Sequence, residues 1–225
     1  MKKTKIVATI GPASSSPEIL KQMLNEGCNV FRVNFSHGAY DDHKKVIDSI
    51  RTIIADTGIN AAILADLQGP KLRVGVMENN AVELIPGNEL KITTKECIGT
   101  SEKVYMTYQQ FPQDVKPGER VLLDDGKLVL EVVSTNQQDE VITKVIQGGI
   151  LSSKKGVNLP NTKVSLPSLT EKDLQDLDFA LDNNIDWIGL SFVRSARDII
   201  ELKHIITSRK NRAKVIAKIE KPEAI

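Results

Sequence analysis

Between about Lys71 and Pro167 this sequence drops a rhythm that it keeps on either side. Before the break, short β-branched runs alternate with stretches whose apolar residues recur every three or four positions; inside it the helical period is gone; from Thr170 it returns. A chain patterned in this way folds as an α/β scaffold carrying an inserted β module.

Residues 5–10, closed by Gly11-Pro12, read as a buried strand, and Ser14-Ser15-Ser16-Pro17 then starts a helix. Ile19, Leu20, Met23 and Leu24 form its apolar face, and Gly27 ends it. Residues 30–35 are a second strand. The next helix starts near Asp41, carries Val46, Ile47, Ile50, Ile53 and Ile54 on one face and stops at Gly58. Residues 61–67 are a third strand, almost wholly apolar, as strands of a helix-covered parallel sheet are.

The middle stretch is punctuated by Pro86-Gly87, Pro117-Gly118, Asp125-Gly126 and Gly148-Gly149, with the clearest hairpin formed by residues 121–124 and 127–133 around Asp125-Gly126. Beyond it, Thr170 and Asp173 resemble a capping box for a helix whose apolar face is Leu174, Leu177, Ala180 and Leu181. Residues 187–192 and 214–219 read as a fourth and a fifth strand, joined by a helix from Ser195 to about Arg209 that turns Ile199, Leu202 and Ile206 to one side.

The fold class predicted is therefore α/β: a partial TIM (β/α)8 barrel, with about five of the eight strands such a barrel needs, and an inserted all-β, barrel-like domain. Residues 1–70 begin the barrel, 71–167 form the insertion, and 168–225 continue the barrel. Such a sheet exposes the edges of its first and fifth strands, the expectation for a fragment of a longer protein or for a chain that needs a partner.

Thirty basic residues against 29 acidic give a formal charge of +1, so no bulk field favours nucleic acid or an anionic membrane, and any phosphate recognition is local. Two cysteines without ligand or redox spacing, and no run of signal-peptide or membrane-spanning length, lead to the expectation of a cytoplasmic protein.

Three polar clusters fall at strand ends, where barrels of this type place their chemistry. Arg32-Val33-Asn34-Phe35-Ser36-His37 combines a guanidinium suited to phosphate with neutral oxygens suited to a hard cation. The alternative is that Arg32 pairs with a carboxylate and His37 caps the next helix. Asp66 puts a carboxylate on an apolar strand and so requires a cation, either a metal or a structural lysine or arginine such as the nearby Lys71. Lys218 and Glu220 share a strand face by period-two alternation, as a plain ion pair or as a phosphoryl-stabilising cation beside a divalent-metal ligand. The loop Ser152-Ser153-Lys154-Lys155-Gly156 suits either a phosphate-contacting lid or a solvated linker.

In the order KIVATIGPAS, NVFRVNFSHG, DLQGPKLR, LLDDGKL, KKGVNLP, LPSLTEKD, WIGLSFVR and IAKIEKPEAI, the motifs resemble pyruvate kinase over essentially all 225 residues. The resemblance implies transfer of a phosphoryl group from phosphoenolpyruvate to ADP, with the insertion as a mobile lid domain over the nucleotide. It implies that Arg32 contacts substrate phosphate and that Asn34, His37, Arg73 and Lys155 meet the nucleotide. Asn34, Ser36, Asp66 and the backbone carbonyl of Leu67 take the positions of a monovalent-cation site. Lys218 becomes the stabiliser of the phosphoryl group in transit, and Glu220 the ligand of magnesium or manganese. The resemblance further implies a homotetramer for the full-length protein, with no nucleic-acid or membrane partner.

Two departures stand out. Where potassium-dependent members carry an acidic residue after the Gly-Pro of the third-strand loop, this chain has Lys71, whose ammonium is expected to replace potassium. The second metal ligand, the proton donor, the last strands and the allosteric domain of the family lie beyond Ile225, so the isolated 225-residue chain is expected to be inactive. Two rival readings remain: an aldolase-type keto-acid barrel, using either a Schiff base on Lys218 or a metal, and a non-catalytic binding remnant.

Overall fold

The computed structural model describes residues 3–220 and 224–225. Residues 221–223 of the last motif lie outside the described residues. The chain divides into two compact units, Met1–Pro70 with Pro167–Ile225, and Lys71–Leu166.

The first unit begins with β1 (Ile6–Thr9), α1 (Pro17–Asn25), β2 (Cys28–Asn34), α2 (Tyr40–Thr57) and β3 (Ala62–Asp66). Ser16 caps α1 by accepting a hydrogen bond from the Ile19 amide, with Pro17 preset in the first turn. Gly58 ends α2 in the left-handed region at φ 67°, where a side chain is disfavoured.

The second unit holds β4 (Ala81–Leu84), β5 (Glu89–Thr93), β6 (Lys103–Tyr105), the short helix α3 (Phe111–Asp114), β7 (Arg120–Leu123), β8 (Leu128–Thr135), β9 (Glu140–Gln147), β10 (Gly149–Ser152) and β11 (Val157–Asn158). Its strands form a six-stranded sheet in the order β11-β7-β8-β9-β5-β6 and a two-stranded sheet of β10 with β4. The predicted hairpin is present, but its loop is four residues long. Leu123 pairs with Leu128, and Asp124, Asp125 and Gly126 all take positive φ.

The first unit resumes with α4 (Glu171–Asp182), β12 (Trp187–Leu190), α5 (Ala196–Ser208) and β13 (Lys214–Ala217). Thr170 and Asp173 form the capping box of α4 as expected. Leu174, placed on the apolar face by spacing, is exposed instead, while Asp173 and Asp176 are buried, because each carboxylate finds hydrogen-bond donors there.

The five strands of this unit form one parallel sheet in the order β1-β2-β3-β12-β13. Phe31, Val33, Phe35, Ile63, Ala65, Ile188 and Leu190 turn one face into a core shared with Leu20, Leu24, Ile47, Ile50, Leu177 and Leu202 of the helices. Side-chain alternation therefore sends Arg32, Asn34, Asp66 and Gly189 to the other face. The fold is an α/β half-barrel sheet interrupted by an all-β domain.

One expectation fails. β1 is not buried: Val7 is 55% exposed, because a strand at the end of the sheet has a neighbour on one side only. β13, at the other end, is similarly open.

Candidate active site

Asp66, at the carboxyl end of the central strand β3, is the hub of the site, with a side chain only 4% exposed. An unpaired carboxylate there would be costly, and it is met from two sides. Arg32, on the neighbouring strand β2, donates from Nε at 2.7 Å and makes a second contact through Nη2 at 2.5 Å, both to the same oxygen, Oδ2. Lys218 donates from Nζ at 3.0 Å to Oδ1 and 3.3 Å to Oδ2. Gly189 makes room for this, since a Cβ there would stand 3.1 Å from Asp66 Oδ1.

The structural alternative for Arg32 is thus realised, although its partner leaves donors over. A guanidinium has five N–H groups; Asp66 takes two and the Thr9 hydroxyl, 2.8 Å from Nη1, takes one. Within the first unit the cations of Asp66 are therefore Arg32 and Lys218, and the named candidate was Lys71. It is exposed, lies in the second unit and makes no ion pair with any described residue.

Lys218 and Glu220 lie just past β13, yet stay on one side. The Lys218 amide donates to the Leu190 carbonyl and its carbonyl accepts from Val193, which extends the ladder beyond the strand. Lys218 Nζ also donates to Ser191 Oγ at 2.8 Å and stands 3.6 Å from Glu220 Oε1. Glu220 Oε2 accepts from the Phe192 amide at 2.9 Å, and Phe192 holds a left-handed φ of 56° to present it. Ser191 Oγ donates to the Leu67 carbonyl at 2.6 Å.

The proposed monovalent-cation ligands cluster at the ends of β2 and β3. Asn34 pairs in register with Asp66, and Asn34 Oδ1 accepts from the Ser36 amide at 3.1 Å. His37 is exposed, and Ala39 caps α2 without a side-chain bond, so His37 is not the helix cap. Asn34 and His37 line a cavity of about 780 Å³ with Gly11, Pro12, Gly38 and His43. His43 packs 4.7 Å from the Phe35 ring, and burial pushes its imidazole below the usual value.

Arg73 and Lys155 belong to the second unit. Arg73 Nη1 donates to the Lys154 carbonyl at 2.8 Å, and Lys155 Nζ pairs with Asp124 Oδ1 at 2.9 Å. Hydrogen bonds from Lys155 and then Lys127 hold the Asp124 carboxyl below the usual carboxylate range.

Ser191, Phe192, Gly189 and Thr9 escaped the reading of the sequence. Period two counted from Trp187 would have put Gly189 and Ser191 on the face of Asp66.

Among the described residues no group of three or more His, Cys, Asp or Glu side chains is placed to hold a metal, and no helix is long and apolar enough to cross a membrane. The donor set still fits magnesium. That ion is commonly held by one or two carboxylates together with waters and substrate phosphate oxygens, and Glu220 offers one carboxylate at the mouth of the site.

Fold and site together define a barrel-type α/β protein in which cations converge on one strand-end carboxylate and keep donors to spare. The family described as pyruvate kinase, barrel domain, matches residues 1–225. Pyruvate kinase of Geobacillus stearothermophilus is 45% identical over 226 residues, covering 100% of this chain and 38% of that protein. Pyruvate kinase of Mycobacterium tuberculosis is 45% identical over 222 residues, covering 98% and 47%. The crystal structure of a pyruvate kinase from Cryptosporidium parvum superposes with a TM-score of 0.90 at 36% identity, covering 98% of this chain and 47% of that one. The chain belongs to the pyruvate kinase family, and spans less than half the length of these relatives.

Proposed function

We propose that the protein carrying this chain is a pyruvate kinase, a phosphotransferase that moves the phosphoryl group of phosphoenolpyruvate to ADP and yields pyruvate and ATP. The observation that carries this reading is the Lys218 ammonium. Asp66 and Ser191 hold it at the sheet end, beside Glu220 and the spare donors of Arg32. Phosphoryl transfer asks the protein for positioning and positive charge rather than covalent chemistry.

In this proposal Arg32 binds the substrate phosphate through its unused N–H groups. Lys218 stabilises charge on the phosphoryl group in transit. On the first unit Asn34 and His37 contact the nucleotide at the 780 Å³ cavity; on the second, Arg73 and Lys155 offer it cations. Glu220 would hold magnesium or manganese, which when bound neutralises phosphate charge and polarises the transferring group.

The potassium requirement rests on Lys71. In this proposal the oxygens of Asn34, Ser36, Asp66 and Leu67 would line a monovalent-cation site, yet Asp66 already faces two cations. We propose that Lys71 supplies the remaining charge and that turnover does not need potassium. The Schiff-base alternative fits poorly, because that chemistry needs a neutral amine and Lys218 is ion-paired as an ammonium.

The test is pyruvate formation from phosphoenolpyruvate and ADP by the native polypeptide containing these residues. Magnesium-dependent turnover, similar with and without potassium, is expected. No turnover with magnesium in either condition would overturn the proposal. A strict potassium requirement would overturn the role of Lys71 alone.

A further inference from the structure

Ser191 sits at the end of β12, 3% exposed, between two groups that constrain it completely. Lys218 Nζ lies 2.8 Å from its oxygen, and an ammonium only donates. The Ser191 oxygen must therefore accept there, which leaves its single proton for the other neighbour, the Leu67 carbonyl at 2.6 Å. The order of donors is thus fixed as Lys218 to Ser191 to Leu67.

From this geometry we infer that Ser191 is a positioning residue for Lys218, an inference that rests on the phosphoryl-transfer reading above. The ammonium has three N–H groups. One is shared by the two oxygens of Asp66 at 3.0 and 3.3 Å, and Ser191 takes a second. The third is left for an incoming oxygen, since Glu220 at 3.6 Å is beyond hydrogen-bond reach. With Asp66 alone the ammonium could rotate about the Cε–Nζ bond and swing on its flexible stem. Ser191 removes that freedom by tying Lys218 to β3 a second time, through Leu67, the residue next to Asp66. The same turn presents the Phe192 amide to Glu220, so one backbone segment sets both the cation and the carboxylate.

A lost positioning bond changes the reaction step more than substrate binding. In the native polypeptide, Ser191→Ala lowers kcat about ten- to a hundredfold, the range for a hydrogen bond to a charged group, and moves KM for phosphoenolpyruvate by less than about threefold. Ser191→Thr, which keeps the hydroxyl, restores kcat to within about threefold, with folding of both variants checked by Trp187 fluorescence in urea. A second readout does not depend on turnover. Acetylation of Lys218 by acetic anhydride, followed by mass spectrometry, is several times faster in Ser191→Ala, while Lys3 and Lys210 react at unchanged rates. Unchanged kcat in Ser191→Ala, a folded Ser191→Thr without recovery, or unchanged Lys218 acetylation would each overturn the inference. Absence of turnover in the wild type would instead overturn the proposed function, and the acetylation comparison would still decide the placement of Lys218.

Discussion

The two units are stabilised in contrasting ways. In the β unit, Val121, Leu123, Leu128, Leu130, Val132, Val141 and Val145 alternate inward along antiparallel strands, and each is at most 2% exposed. In the barrel unit burial is graded across the sheet: the central strand β3 is buried at four of its five positions, whereas β1 and β13 have none buried. The sheet packs helices on one face; its other face is apolar at Val30, Leu64 and Ile216 and turns polar towards the carboxyl ends of the strands, where the charged hub of Asp66 forms. Core packing and site chemistry thus occupy opposite faces of the same strands.

That contrast can be broken most forcefully in the β unit. Leu130→Ala, at a fully buried position, should cost about 2–5 kcal/mol. Hydrogen-exchange protection should fall in residues 71–166 while Trp187, the single tryptophan and a member of the barrel unit, keeps its urea midpoint. A concerted loss in both units would contradict their separateness.

Asp66→Asn should cost the barrel unit about 3 kcal/mol, because it leaves Arg32 and Lys218 facing each other without their buried counter-charge. Trp187 fluorescence in urea measures it, and a midpoint like that of the wild type would refute the hub. Removing the Thr170 cap of α4 by Thr170→Ala should cost about 1 kcal/mol in the same assay.

Acid separates the units by pH range. Burial favours neutral His43, so the unfolded chain binds a proton more readily, and barrel-unit stability should begin to fall as pH drops below about 6.5. His43→Phe should flatten that limb. All three histidines, His37, His43 and His204, are in the barrel unit. The β unit should hold until much lower pH. Asp124, whose carboxyl is depressed by Lys155 and Lys127, contributes stability above the ordinary carboxylate range and loses it as pH falls through its own lower value. The smallest effect belongs to the open edge: Val7→Thr should change stability by no more than about 0.5 kcal/mol.

Local chemistry made much of the fold legible. The Ser16 and Thr170 caps and the Gly58 stop each depend on residues within a few positions and are found where spacing puts them, and the hairpin at Asp125-Gly126 is found with a longer loop. The partners of Asp66 were out of reach, because Arg32 and Lys218 lie 34 and 152 residues away and meet it only through strand order and register. Lys71 is nearer in sequence, but the ion pairs of Asp66 within its unit are with Arg32 and Lys218. β1 misled for a related reason: its apolar run is the same whether neighbours cover it or not. Period two gives Ser191 a face but not a role, and its importance rests on two long-range contacts.

The most direct measurement compares wild type with Lys218→Met in the native polypeptide, following pyruvate from phosphoenolpyruvate and ADP with magnesium and no potassium. The account predicts turnover by the wild type and a loss of several orders of magnitude in kcat for the variant, since a preorganised charge at the transferring group has been removed. Equal rates in the two proteins would contradict it, and Lys218 would then be a structural partner of Asp66 alone.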